Sequence, residues 1–217
     1  YQRSDYGQGA RIGVALDEAC NFYYRDNIEL MELAGAKVVP VSPLHDTSLP
    51  EIDGLYIGGG YPELYAEELS KNKSMIASII QAHEKGVPIF AECGGLIYLS
   101  KEMEYSGEVR PQVGLIPGRS RMGDRRIVSY TEGHFVRNCS FGPKGSSFLG
   151  HEFHHSELLL DKEVEYAIKL DRGTGIRDGM DGIVDGDLMA SYCHFHGASY
   201  REYPKHFIRT SIEARDK

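Results

Sequence analysis

The chain has 217 residues, of which 24 are Lys or Arg and 32 are Asp or Glu, giving a formal net charge of −8 at pH 7. This charge argues against general binding to nucleic acid or to an anionic membrane, because both surfaces repel an acidic protein. The sequence has no apolar run of the length that a membrane span needs and does not open with a secretory signal, so we expect a cytoplasmic protein.

The first hundred residues alternate apolar runs of strand length with helical patterns, which is typical of a parallel sheet. Buried strands are predicted at residues 11–16, 37–41, 53–58 and 87–91. Helices are predicted at residues 26–35, 74–85 and 96–103. Open α/β sheets place their functional sites at the carboxyl ends of such strands, so we look for chemistry there.

The second half of the chain has a different pattern, with loose alternation interrupted by Gly, Pro and Asn. Residues 126–136 and 148–160 predict antiparallel strands or hairpins. A glycine-rich connector, a last strand and a closing helix are predicted at residues 173–186, 188–194 and 203–214. The sequence therefore predicts one α/β domain of three layers, with a mixed, mainly parallel sheet and an antiparallel insertion in its second half.

Cys93 is a candidate nucleophile among four cysteines that form no CxxC pair and are expected to be reduced. It lies where the fourth predicted strand meets a helix, between Glu92 and the pair Gly94-Gly95, so little side-chain bulk would obstruct a substrate. A nucleophile elbow has this arrangement, and the amides that follow it can stabilise a thiolate and an oxyanion. The alternative is a buried structural thiol, and the spacing alone favours neither.

A thiol nucleophile needs a base, and two histidines end the last predicted strand. His194 and His196 lie two residues apart, so an alternating strand would place both on one face. Usually a carboxylate orients such a base, but no third member can be identified in this pattern. Two histidines at the rim of the sheet without a chemical role are the alternative.

A run of glycines follows the third predicted strand. Gly58, Gly59 and Gly60 have no side chains, so their amides could approach a ligand or a tetrahedral oxyanion, as could the amide of Gly94. A tight turn explains such a run equally well. The chain contains no GxxxxGK[ST] motif, so a phosphate-loop ATP site is not predicted.

Two segments carry weaker functional signals. Residues 151–155, HEFHH, match the zinc-protease pattern HExxH, but in an extended segment the outer histidines would lie about 13 Å apart, so no metal site is predicted. Residues 118–126 form a basic cluster, which predicts a solvated loop or, as the alternative, a contact with an anionic substrate.

Six ordered segments carry a family resemblance that covers nearly everything from residue 11 onward. They are NFYYRDN at 21–27, SPLHD at 42–46, DGLYIGGGYPE at 53–63, AECGGLIYL at 91–99, GHEFHHSEL at 150–158 and ASYCHFH at 190–196. The chain resembles the C-terminal glutaminase domain of the cobyrinic acid a,c-diamide synthase family, a branch of the triad-type glutamine amidotransferases. Cys20, Cys193 and Gly197 depart from the pattern expected of that family.

The resemblance implies a flavodoxin-like fold and the release of ammonia from glutamine. It implies that Cys93 is the nucleophile and that His194, rather than His196, is its base. It also implies that HEFHH is a family motif unrelated to zinc and that a Cys–His pair works without the usual acidic third member. A non-catalytic binding module on the same fold and a cysteine hydrolase are the rival interpretations.

The resemblance further implies partners. An N-terminal synthetase domain would use ATP and magnesium to activate carboxylates of a corrinoid, cobyrinic acid in cobalamin biosynthesis, while this domain itself needs no cofactor. A close relative amidates nickel-sirohydrochlorin instead, and the sequence does not separate the two acceptors. Residues 1–10 are then predicted to be a linker from the synthetase and residues 11–217 the glutaminase. The oligomeric state is open, with a homodimer as one option, and the GHEFHHSEL segment and the basic cluster are candidate docking surfaces.

Overall fold

The computed structural model describes residues 9–217. The predicted linker, residues 1–10, lies outside the described residues except for its last two. The strands are β1 (Arg11–Ala15), β2 (Cys20–Phe22), β3 (Lys37–Val41), β4 (Gly54–Ile57), β5 (Gly59–Gly60), β6 (Ile89–Glu92), β7 (Ser100–Tyr105), β8 (Glu108–Pro111), β9 (Ile116–Phe135), β10 (Ser147–Leu160), β11 (Glu165–Arg172), β12 (Met180–Asp185), β13 (Leu188–Ser191) and β14 (His194–Phe195). The helices are α1 (Arg25–Leu33), α2 (Ala66–Lys71), α3 (Lys73–Glu84), α4 (Gly94–Leu99) and α5 (Tyr203–Arg215), with a short 3₁₀ helix at Pro62–Tyr65.

The parallel half of the main sheet has the strand order β13-β6-β4-β1-β3. Every residue of β4, β6 and β13 is buried, which is typical of strands covered on both faces. Met31 of α1 and Phe207 of α5 belong to the apolar core on one face, whereas Ile76 and Ile79 of α3 belong to the core on the other. The predicted flavodoxin-like three-layer fold is confirmed.

The antiparallel half extends the same sheet beyond β13, in the order β12-β11-β9-β10-β14. β9 and β10 pair along most of their length as a long hairpin, with an irregularity between His154 and Ser156. β7 runs parallel to the start of β9 and pairs with β8 on its other side. The predicted antiparallel insertion is confirmed, and both hairpin strands are longer than the sequence predicts. None of the helices within residues 9–217 is long and apolar enough to cross a membrane.

The prediction of a solvated loop at residues 118–126 is wrong, because this segment belongs to β9. Two of its four arginines, Arg119 and Arg121, have acidic partners on neighbouring strands. Arg119 lies 2.9 Å from Glu102 and 3.3 Å from Glu104 on β7, and Arg121 pairs with Glu157 on β10. Half of the basic cluster is therefore compensated within the sheet, by partners that are distant in sequence.

Three further boundaries differ from the prediction. The helix predicted at residues 96–103 ends at Leu99, where the Ser100 hydroxyl donates to the Ile97 carbonyl at 2.6 Å and β7 begins. Part of the predicted glycine-rich connector at residues 173–186 forms β12. The last predicted strand, residues 188–194, is broken into β13 and β14. β2 and β11 are strands that the sequence patterns did not reveal.

Candidate active site

Cys93 forms a strained turn at the carboxyl edge of the parallel strands. β6 ends at the preceding residue and α4 begins at the following one. Cys93 has φ 48° and ψ −98°, a sparsely populated conformation that costs about 1–3 kcal/mol for a non-glycine residue. Its amide donates a hydrogen bond of 2.7 Å to the carbonyl of Ser191, which ties the turn to β13. The predicted sharp strand-to-helix turn is present, and backbone strain of this kind is concentrated at functional sites.

Gly95 lets α4 pack directly against β4. A Cβ atom at this position would overlap the carbonyl oxygen of Ile57, a backbone atom that cannot rotate away. We expect Gly95→Ala to lower the free energy of unfolding by about 2 kcal/mol or more, measured by urea denaturation. Gly123→Ala is the control, because its nearest contact would be the His155 carbonyl oxygen at 3.7 Å. An equal loss in both variants would contradict the close packing of α4 on β4.

His194 lies beside Cys93 and is 3% exposed. Its ring stacks on His151 with 4.8 Å between centroids and meets the edge of the Phe22 ring at 5.0 Å. Burial lowers the pKa of His194, but the interactions of its ring with the Cys93 thiol and with the Glu92 carboxylate outweigh burial and raise the pKa to about 10. The structure therefore brings Cys93 and His194 together.

His196 has different surroundings. It follows β14 and is partly exposed, with its Nε2 atom 3.7 Å from Asp26 Oδ2 and its ring 4.5 Å from the ring of Tyr24. The sequence pattern left His194 and His196 equivalent, whereas the structure places His194 on the Cys93 side and His196 beside α1.

Asp181 explains why the last strand is broken before His194. Its buried carboxylate accepts hydrogen bonds from the amides of Gly182, Tyr192 and Cys193 at 2.8, 3.1 and 3.0 Å. Burial raises the pKa of Asp181 to about 7, although the three amides favour the charged form. The Asp181 carboxylate thus replaces a neighbouring strand as the hydrogen-bond acceptor for the amides of Tyr192 and Cys193, between β13 and β14. His194 follows directly and lies in the site.

A cavity of about 350 Å³ opens beside Cys93 and His194, a volume typical of sites for small molecules. Gly60 and Glu63 line it from the segment after β4. Phe153 lines it from β10. The nucleophile candidate and the base candidate thus share one pocket of suitable size for an amino-acid side chain.

The glycine run lies against the same two residues. A Cβ atom on Gly59 would lie 2.8 Å from Cε1 of His194, and one on Gly94 would lie 2.9 Å from the amide nitrogen of Gly60. The amide of Gly58, in contrast, donates a 2.8 Å hydrogen bond to the hydroxyl of Tyr23. The Gly58 amide is therefore already engaged, and Gly59, Gly60 and Gly94 remain the candidates whose amides could bind an oxyanion.

The HEFHH segment lies on β10, and its three histidines line the cavity. Burial lowers the pKa of His151 and of His154 to about 4, so both rings are neutral near pH 7. His151 is hydrogen-bonded to the hydroxyl of Tyr24 at 2.9 Å, and His155 lies 3.4 Å from Glu63. Within residues 9–217, no group of three or more His, Cys, Asp or Glu side chains is arranged to hold a metal ion.

Glu92 is a residue of the site that the sequence reasoning missed. Its Oε2 atom lies 3.7 Å from Nδ1 of His194 and accepts a 2.7 Å hydrogen bond from the hydroxyl of Tyr56. Oε1 accepts a 2.9 Å hydrogen bond from the amide of Phe195. The sequence does contain a sign of this role, because Glu92 ends a buried strand that is otherwise apolar. A carboxylate is rarely buried without a partner.

A family model described as the CobB/CobQ-like glutamine amidotransferase domain matches residues 11–201. The chain is 50% identical to a cobyrinate a,c-diamide synthase of Methanosarcina barkeri over 95% of its own length and 44% of that protein. It is 43% identical to a protein of that name from Listeria innocua, over 87% of this chain and 42% of the relative. The chain thus spans less than half the length of these curated relatives.

Solved structures with low sequence identity share the fold. A structure of PurLQS from Thermotoga maritima aligns with a TM-score of 0.70 at 17% identity, covering 96% of this chain and 100% of the other. The glutaminase domain of CTPS from Trypanosoma brucei, solved with bound acivicin, aligns with a TM-score of 0.57 at 14% identity, covering 96% and 94%. At these identities the likeness establishes the architecture alone.

Proposed function

The chain belongs to the CobB/CobQ-like glutamine amidotransferase family, and we propose that Cys93 and His194 act together in it to release ammonia from glutamine. The observation that carries the proposal is the placement of a buried histidine against a cysteine in a strained turn, at a cavity of about 350 Å³. An activated cysteine nucleophile needs a base within reach of its thiol, and this pair meets that requirement.

The reaction proceeds in two steps through a thioester. The Cys93 thiolate attacks the side-chain carboxamide carbon of glutamine, and His194 gives a proton to the nitrogen as the C–N bond breaks and ammonia leaves. His194 then takes a proton from water, the hydroxide attacks the thioester, and glutamate is released with the thiolate restored. The amides of Gly60 and Gly94 hold the oxyanion of each tetrahedral intermediate, an interaction worth about 3 kcal/mol per donor.

The whole enzyme in this proposal is a cobyrinate a,c-diamide synthase that acts in the cytoplasm. Its other part is an N-terminal synthetase that uses ATP and magnesium to activate the a and c carboxylates of cobyrinate, which the released ammonia then converts to amides. Support comes from relatives of that name that are more than twice as long as the matched segment. Nickel-sirohydrochlorin is the alternative acceptor.

Isotope transfer tests the proposed function and the acceptor in one experiment. Full-length enzyme is given ATP, magnesium and glutamine labelled with ¹⁵N in its amide, with either cobyrinate or nickel-sirohydrochlorin. We expect two labelled amide groups in the product from cobyrinate, detected by mass spectrometry. Labelled product from nickel-sirohydrochlorin alone would show that this compound, and not cobyrinate, is the acceptor. A product without label, with no glutamate formed, would contradict the glutaminase role.

The β9–β10 hairpin offers a docking surface for the synthetase. Val128 and Tyr130 of β9 pair in register with Phe153 and His151 of β10, so their side chains share a face, and Tyr130 is 75% exposed. Phe153 also lines the cavity, so this apolar face adjoins its mouth. A partner that covers the mouth would receive ammonia before it escapes to water.

Tyr130→Glu tests this surface by placing a charge on its most exposed aromatic side chain. In the full-length enzyme we expect glutamine-dependent amidation to fall by about tenfold or more, with ammonia-dependent amidation retained. Tyr105→Glu is the control, since Tyr105 is 36% exposed and lies on β7, outside the face. Equal effects of the two substitutions would contradict docking on the hairpin.

A further inference from the structure

Glu92 is a buried carboxylate whose position calls for a chemical explanation. It is 2% exposed, and both of its oxygens accept hydrogen bonds, one from the amide of Phe195 and one from the hydroxyl of Tyr56. Neither donor carries a positive charge. Burying a carboxylate that has no cationic hydrogen-bond donor costs desolvation free energy, and an apolar residue at this position of β6 would avoid that cost.

The nearest group that can become cationic is the imidazole of His194. Its Nδ1 atom is buried and has no hydrogen-bond partner among residues 9–217, and it lies 3.7 Å from Oε2 of Glu92. This separation exceeds a hydrogen bond, but catalytic hydrogen bonds are often long before substrate binds and shorten in the complex. The unpartnered nitrogen and the uncompensated carboxylate therefore face each other.

We propose that Glu92 is the positioning residue of the site, which accepts the Nδ1 proton of His194 and directs Nε2 of the same ring toward the Cys93 thiol. The proposal rests on the proposed glutaminase function. Residue 196, which an alternating strand would place on the same face as His194, is a histidine and not a carboxylate. Glu92 faces Nδ1 of His194 from the end of β6, and it directly precedes Cys93 in the sequence.

The charges around His194 determine what this contact does. Cys93 and Glu92 face it from β6 and the following turn, His151 stacks on it from β10, and Phe22 covers it from β2. His151 is neutral near pH 7, because burial lowers its pKa to about 4. Glu92 is then the carboxylate that favours the protonated imidazole, and its loss allows His194 to release the proton at a lower pH.

Glu92→Gln tests the proposal in the full-length enzyme, because it removes the charge and nearly preserves the shape. We expect the alkaline limb of the pH profile for glutamine-dependent kcat to move down by about one pH unit or more. We also expect kcat at neutral pH to fall by about tenfold or more, with ammonia-dependent amidation retained. Tyr56→Phe is the matched control, because it removes a hydrogen bond to Glu92 but leaves the charge, so the alkaline limb should stay in place.

A purely structural role for Glu92 would lower stability and total activity without moving the alkaline limb, and that outcome would overturn the proposal. If Glu92→Gln does not fold, the test uses Glu92→Asp, whose side chain is one methylene shorter and holds the charge farther from His194. An alkaline limb that moves to lower pH supports the proposal, and a limb that does not move overturns it. Failure of the proposed function is recognised separately, because the parent enzyme would then use no glutamine at any pH.

Discussion

Replacing Cys93 by Ala is expected to abolish glutamine-dependent amidation by the full-length enzyme and to leave ammonia-dependent amidation nearly unchanged. The substitution removes the atom that forms the thioester, so the loss should reach about a thousandfold or more in kcat. In the proposed reaction, free ammonia enters after the glutaminase step, so its use does not depend on the thiol. The measurement is the rate of amide formation with saturating glutamine and, separately, with ammonium chloride.

Cys139→Ala is the matched control for this experiment. Cys139 is a free, partly exposed thiol close to the Gly142 carbonyl, and it does not line the cavity beside Cys93. Both activities should survive its loss. Retention of glutamine-dependent activity in Cys93→Ala would show that Cys93 is a structural thiol, the alternative that its sequence context left open.

Replacing His194 by Asn is expected to have an effect of similar size. In the proposed mechanism this substitution removes the group that protonates the leaving ammonia and then activates water, so thioester formation and thioester hydrolysis both lose their proton carrier. We expect glutamine-dependent kcat to fall by about a thousandfold, with ammonia-dependent amidation again retained as evidence that the enzyme is folded. Alkylation of Cys93 should slow as well, since the thiolate loses its buried cationic neighbour.

His196→Asn is the control, and it separates two histidines that the sequence pattern could not. His196 is partly exposed and lies against Asp26 and Tyr24, so its loss should change glutamine-dependent kcat by less than about twofold. A large loss in His196→Asn with normal activity in His194→Asn would reverse the assignment.

Features carried by contiguous residues were predictable. The alternation of strands and helices in the first half follows from hydrophobic periodicity, and the turn at Cys93 follows from a buried strand that ends at a Cys-Gly-Gly sequence. The ranges predicted for β1, β3, α3 and α5 agree with the structure to within about two residues, the usual uncertainty of element ends.

Features that depend on register between distant strands were not predictable. The basic residues of β9 suggested a loop because their acidic partners, Glu102, Glu104 and Glu157, lie on other strands. The break before His194 depends on Asp181, whose segment looked like a glycine-rich connector. Glu92 adjoins Cys93 in sequence, but its contact with His194 exists only because β6 and β13 pair in parallel and the chain turns back after the break.

The site combines groups that would be unfavourable separately. Cys93 has a strained backbone, and Glu92 is a buried carboxylate whose hydrogen-bond donors are neutral. His194 is a buried imidazole whose Nδ1 atom has no hydrogen-bond partner among the described residues. In the proposed mechanism they form a unit in which a proton passes between thiol and imidazole beside the negative charge of Glu92. Such a unit is typical of a catalytic site, where local strain is maintained by the surrounding fold.

Covalent labelling tests the central claim most directly. Full-length enzyme is treated with the diazoketone analogue of glutamine in the presence of ATP, magnesium and acceptor, then digested, and the modified residue is identified by mass spectrometry. We predict a single adduct on Cys93 that free glutamine prevents and that His194→Asn slows strongly. An adduct on another residue, or none under these conditions, would contradict the assignment of Cys93 as the nucleophile that attacks glutamine.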